Sequence, residues 1–225
     1  MRICYVALTC EAYLKTRAVW QRETWLSAID PEDSYVYLSA LSHPEDPHIL
    51  GCGTADDYQS CPAKYIAFFK GWDLSGFDWY FFVDDDTFVF PHRLKAELAK
   101  HDASEYVYIG CEGNRCIPYM SGGAGFGLSA PLYTALVAGH RSGAVYTPER
   151  VDGDAYQYGD VRMGGWIYNL PVPTSRRALP RVSGMPLDHP GSPPLETALT
   201  SHYMKEEHFR AYHRVLKLST RCVVG

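Results

Sequence analysis

Apolar and polar positions along this chain follow two alternating periods. "RICYVAL" (2–8), "SYVYLSAL" (34–41), "WYFFV" (79–83) and "EYVYIG" (105–110) are short runs rich in aromatic and β-branched residues, which predicts strands. Between them lie stretches with helical spacing. "TRAVWQRETWLSAI" (16–29) repeats its apolar positions at Val19, Leu26 and Ile29. "DDYQSCPAKYIAFFKGW" (56–72) places Tyr65, Phe69 and Trp72 on one face, with Asp56 or Asp57 near its start. "HRLKAELAKH" (92–101) is opened by Pro91. "PLYTALVAGH" (131–140), "AYQYGDVRMGGWIYNL" (155–170) and "MKEEHFRAYHRVLK" (204–217) are predicted to be three further helices. Positions 43–54 read as a loop, and 171–198, rich in Pro and Ser, as loop or edge structure. "WYFFV" has no polar alternation, so both of its faces should be buried, as in the central strand of an α/β sheet. Strands alternating with helices, without repeats or a linker, predict one α/β domain over 1–225 with a mostly parallel central sheet flanked by helices.

Composition narrows the partners. With 46% apolar and 21% charged residues and a net charge of -5, the chain is an ordinary globular one that lacks the basic stripe a nucleic-acid partner requires. No run approaches the roughly 18 apolar residues of a transmembrane helix, and Glu11 interrupts the N-terminal apolar run before it resembles a signal peptide. Seven scattered cysteines favour a reduced, cytoplasmic chain; Cys111 and Cys116 are close enough to staple a loop in an oxidising compartment.

The chemistry concentrates where the burial pattern is broken. Asp84, Asp85 and Asp86 follow the buried run "WYFFV" and so lie at a strand's carboxyl end, where open α/β sheets bind ligands. Alternation along an extended chain points Asp84 and Asp86 to one side and Asp85 to the other. Carboxylates beside Phe82, Val83 and Phe88 need compensation, and hard oxygen ligands suit Mg²⁺ or Mn²⁺. A solvated acidic turn or a helix cap is the structural alternative. "YMSGGAGFGLS" (119–129) crowds four glycines into a few positions, either for close approach of backbone to a ligand or as a plain turn before the next helix. It lacks the Lys-Ser/Thr of a phosphate-binding loop. Asp160 stands among glycines in an apolar segment, as a general base would, although taken alone it is better explained by a helix cap or an ion pair with Arg162. His202 precedes the last helix and is a candidate metal or phosphate contact.

Taken in order, "RETW" (22–25), "DDYQSCPAKYIAFFKGW", "FFVDDDTFV" (81–89), "SGGAGFGLS" (121–129), "GDVRMG" (159–164) and "SHYM" (201–204) resemble the Fringe-like and β-1,3-galactosyltransferase-like inverting glycosyltransferases of the GT-A fold. The resemblance implies a Rossmann-like nucleotide-diphospho-sugar transferase domain that moves a hexose or deoxyhexose from a UDP-sugar to a glycan or glycoprotein acceptor, with Mn²⁺ or Mg²⁺ as cofactor. It assigns the metal to Asp86, with Asp84 and His202 assisting, and the catalytic base to Asp160. Thr9, Arg17, Asp57, Asp84 and Asp85 would serve the donor, and Gly122, Gly123, Ala124, Gly125 and Phe126 the sugar and acceptor. The chain lacks the membrane anchor and convincing cysteine pairs of Golgi members, so the expectation is a soluble catalytic domain, whole or cut from a longer chain. It also resembles the N-terminal glycosyltransferase domains of large algal DNA viruses, which build capsid glycans; that likeness implies a host-cytoplasmic protein using a UDP-hexose or UDP-rhamnose. Two other classes compete: a metal-dependent phosphoesterase, which needs a second ligand cluster, and a binding module with no use for Asp160.

Overall fold

A computed structural model describes residues 1–114, 117–145 and 158–221. Along the chain, β1 (Ile3–Leu8) leads to α1 (Arg17–Glu23), then β2 (Ser34–Ser39), β3 (Ile49–Gly51) and α2 (Cys61–Gly71). Next come β4 (Trp79–Asp84), β5 (Phe88–Val89), α3 (Pro91–Leu98), β6 (Val107–Gly110), β7 (Glu112–Asn114), β8 (Pro118–Met120) and β9 (Phe126–Ser129). The chain continues through α4 (Ala130–Ser142), α5 (Gly159–Asn169), β10 (Ser175–Ala178), β11 (Thr200–Ser201) and α6 (Glu206–Arg221). Seven strands form the main sheet in the order β10-β6-β9-β4-β1-β2-β3. All are parallel except β9, which runs antiparallel to both β4 and β6.

The strand alternation explains why both sheet faces are covered. Ile3, Tyr5, Trp79, Phe81 and Val83 point into one core with Ala18, Leu94, Leu98, Phe209 and Leu216 from α1, α3 and α6. Cys4, Val6, Tyr80 and Phe82 point into the other with Phe68, Phe69, Leu132, Leu136, Met163 and Trp166 from α2, α4 and α5. β4 is thus buried on both sides, as its unbroken apolar run requires.

Four local expectations change. The helix predicted over 16–29 ends at Glu23, and Trp25–Ala28 forms a separate 3-10 turn; Thr24, which donates its hydroxyl to the Trp20 carbonyl, lies between them. The 43–54 loop contains β3, which extends the sheet by pairing with β2. The helix predicted from Asp56 starts at Cys61 after a 3-10 turn at Tyr58–Ser60. The glycine-rich run is no plain turn: its second half is β9, the inserted antiparallel strand. The edge reading of 171–198 holds, with β10 on the sheet's margin. Residues 155–157 of the helix predicted at 155–170, and Cys116, lie outside the described residues, while Cys111 is a free thiol. Among the described residues no helix is long and apolar enough to cross a membrane.

Candidate active site

The parallel strands deliver their carboxyl ends to one cleft. β4 ends at Asp84, and Asp85 and Asp86 form the turn into β5. β5 pairs with β11, Phe88 opposite Ser201 and Val89 opposite Thr200, and this two-stranded ladder places His202 beside the triplet. The Met204 amide donates to the Asp86 carbonyl and closes the ladder's end.

Asp84 and Asp86 face His202, and one ligand atom from each of the three lies within 4.8 Å of the others. His202 Nε2 is 3.0 Å from Asp86 Oδ1 and 3.6 Å from Asp84 Oδ2. Its Nδ1 lies 3.2 Å from the Gly184 carbonyl, which can only accept, so Nδ1 carries a proton and Nε2 is directed at the acids. Burial would lower the His202 pKa, but Asp86 and Asp84 outweigh it and raise it. Burial first, then repulsion by Asp86, Asp85 and Asp160, holds Asp84 well above the usual carboxylate range, with His202 opposing. About a third of the Asp84 side chain still faces the cleft. Two acids sharing a site with an imidazole whose far nitrogen is anchored on a carbonyl form a good oxygen-and-nitrogen donor set for a divalent cation. Such an ion would displace the Nε2 proton and relieve the repulsion at Asp84.

The Asp85 side chain points the other way, toward Thr9 and Arg17. Thr9 donates to its Oδ2 at 2.7 Å and Arg17 to its Oδ1 at 2.9 Å, so both oxygens are engaged by protein. Burial holds its pKa above the usual carboxylate value, although Arg17 and Thr9 pull it down. Arg17 also reaches Asp86 Oδ2 at 3.2 Å and stacks 4.0 Å from the Tyr13 ring centre. Together these residues line a cavity of about 400 Å³.

A second cavity of about 200 Å³ adjoins it and contains Asp160, in the first turn of α5. The Gly122 amide donates to Asp160 Oδ2 at 3.0 Å and the Val161 amide to Oδ1 at 2.8 Å, which fixes the carboxylate against the glycine turn. Leu8, Tyr58, Cys61, Asp84, His202 and Tyr203 line both cavities, so the donor set and Asp160 share one continuous cleft.

The glycines are what allow this proximity. A Cβ on Gly123 would lie 2.1 to 2.6 Å from three atoms of the His202 ring, so the imidazole packs directly on bare backbone. Gly125 has φ +86, and a Cβ there would also press on Phe81. Thr200 locks the arrangement: its hydroxyl donates to the Ala124 carbonyl at 2.6 Å and accepts from the Ser183 amide at 3.1 Å, next to the Gly184 carbonyl that anchors His202. Gly123→Ala should therefore cost about 1–3 kcal/mol of stability and weaken any divalent-cation binding by the cluster by about 10- to 100-fold. A denaturant melt and a Mn²⁺ titration would check both; unchanged metal affinity would show that the ring position is immaterial.

Not every expected site residue reaches the cleft. Gly122 and Gly123 line the smaller cavity, but Gly125 lines neither cavity, and Ala124 and Phe126 are fully buried. Asp57 lines the larger cavity while its carboxylate caps the 3-10 turn, accepting from the Ser60 amide at 2.8 Å. Its neighbour Asp56 is the one joined to the site's framework: Lys64, 2% exposed, donates to Asp56 Oδ1 and to the Thr9 carbonyl. Sequence alone does not single out Lys64 or Tyr203. A lysine inside "CPAKYIAFF" was the available signal for the first; Gly184, acting through a backbone carbonyl, gave none.

Comparison with known proteins gives the family and the fold. The family model described as Fringe-like matches residues 3–176. The glycoprotein-N-acetylgalactosamine 3-beta-galactosyltransferase 1 of Xenopus laevis is 30% identical over 146 residues, which are 63% of this chain and 39% of that enzyme. The chain thus spans about two-fifths of that relative's length. Among solved structures, the apo glycosyltransferase GlyE of Streptococcus pneumoniae TIGR4 superposes with a TM-score of 0.54 at 13% identity, over 98% of this chain and 63% of that one. The galactosyltransferase LgtC with donor and acceptor sugar analogues gives 0.50 at 12% identity, over 96% of both chains. At such identities the likeness is one of fold, the GT-A fold. With its family model matched over most of its length, the chain belongs to the Fringe-like family.

Proposed function

We propose that residues 1–225 act as one catalytic domain, a metal-dependent inverting glycosyltransferase that moves a hexose from a UDP-sugar to a hydroxyl of a glycan acceptor. The observation that carries this reading is the shared cleft: a cation-ready group, Asp84, Asp86 and His202, on one side and the doubly anchored Asp160 carboxylate on the other. A phosphoesterase with two metals is disfavoured, because among the described residues this is the one such group. The relative's galactosyl transfer makes galactose the first sugar to try.

In this reading Asp84, Asp86 and His202 hold Mn²⁺ or Mg²⁺, which would neutralise the charge that grows on the departing diphosphate. Arg17 and Thr9 keep Asp85 turned away, so that Asp86 presents one oxygen to Arg17 and the other to the His202 side. Asp160 takes the proton of the acceptor hydroxyl as that oxygen attacks the anomeric carbon. The carbon–oxygen bond to the diphosphate breaks on the opposite face, UDP leaves with the electron pair, and one displacement inverts the configuration. The Gly122 and Val161 amides hold the carboxylate in place for that transfer.

Calorimetric titration of UDP and a UDP-hexose panel, with Mn²⁺ and again with EDTA, tests the reading. Binding that needs the metal is expected; folded protein that binds no UDP under either condition would overturn it.

A further inference from the structure

Among the described residues, Tyr203 is the one non-glycine with positive φ, at +57. That region of backbone suits glycine or asparagine and strains a bulky ring. Its neighbours explain why it persists. Ser201 is held in the β5–β11 ladder, His202 is anchored on Gly184, and the Met204 amide is tied to the Asp86 carbonyl. The backbone is fixed on both sides, and Tyr203 is the residue between them that faces outward. It is 57% exposed, its ring centre is 3.9 Å from that of His202, and it lines both cavities. Ser201, His202 and Met204 around it are buried while Tyr203 is not. Strain of this kind, held by an over-determined framework at a cleft, is found where function uses it.

The two cavities share only a few lining residues, and any group passed from the metal side to Asp160 must cross them. Among these shared residues, Tyr203 and Tyr58 (72% exposed) are the ones that carry a phenol ring. A pyranose carries an apolar face of C–H groups that packs on an aromatic ring, whereas a diphosphate does not. We propose that Tyr203 is a specificity-determining residue: its strained backbone holds the phenol ring at the seam of the cleft, where it packs on the transferred sugar. This rests on the glycosyltransferase reading above.

Tyr203→Asn separates the proposal from a structural role, because asparagine tolerates this backbone. Calorimetry would compare UDP with UDP-galactose, UDP-glucose and their N-acetyl forms, all with Mn²⁺, alongside thermal melts. The variant should bind UDP as wild type does and lose about 3- to 10-fold in affinity for the wild type's preferred UDP-sugar. Its melting temperature should hold or rise by about 2 °C. Tyr203→Gly should behave alike. Equal losses for UDP and UDP-sugar, no loss for either, or a melting temperature lower by several degrees would each overturn the assignment. A wild-type protein that bound no UDP would instead sink the glycosyltransferase reading itself.

Discussion

Asp160→Asn should lower turnover by about 10²- to 10⁴-fold, the usual weight of a general base, and leave metal-dependent UDP binding unchanged. Asparagine preserves size and can still accept the Gly122 amide through its one carbonyl oxygen. The bond from the Val161 amide loses its acceptor, and that residue's position in the first turn of α5 limits the loss to about 1 kcal/mol of stability. What the variant cannot do is accept the acceptor's proton. Because the carboxylate lies in the smaller cavity, away from Arg17 and Thr9, the donor contacts should stay as they are, and Asp84 should feel only a modest relief of repulsion. Turnover equal to wild type in a protein that binds UDP normally would remove Asp160 from the role of base and leave the cleft without one among the residues assigned here.

The second large effect is expected from the metal. Asp86→Ala should abolish Mn²⁺-dependent UDP binding, since it deletes the carboxylate that touches both His202 and Arg17. The same group makes the metal's effect depend on pH, with a definite sign. Asp84 titrates higher in the folded chain than its ordinary value of 3.8, and His202 higher than its ordinary 6.5. Both therefore bind protons more tightly when folded. The metal-free protein gains stability from them at low pH and loses it as pH climbs, for Asp84 from 3.8 to about 7 and for His202 from 6.5 upward. A cation competes with those same protons, so its affinity rises over that range. Melting curves with and without Mn²⁺ should show a larger metal-induced shift near about pH 8 than near about pH 5.5. A shift of equal size at both would mean that Asp84 and His202 do not hold the ion.

Much of this site could be read from residue types. β4 announced itself as a run with no polar break, and the three acids ending it had to be compensated by something. Alternation correctly separated Asp85 from Asp84 and Asp86. The strand β9 was illegible because Gly127 sits inside it and four glycines dissolve the period; its strand character comes from pairing with β4 and β6, a tertiary fact. Ala124 and Phe126 share a motif with Gly122 and Gly123 yet face the core, since a motif marks a segment and says nothing of which side chains reach the cleft. Asp56 and Asp57 are interchangeable by residue type at the helix start, and the resemblance singles out Asp57 for the donor; capping a turn and pairing with a buried lysine suit any aspartate at that spot. The Gly184 carbonyl had no side chain by which to be noticed.

The short β5–β11 ladder carries one more consequence. Asp86 and His202 are brought side by side from positions more than a hundred residues apart. An ion gripping both would tie the chain into a long ring, as a covalent cross-link does. Closing a loop of about 100 residues removes about 4–5 kcal/mol of unfolded-chain entropy in the simplest polymer model. The ion proposed to act on a diphosphate would then also be a fastener, securing the last helix and the proline-rich segment before it to a sheet built much earlier in the chain.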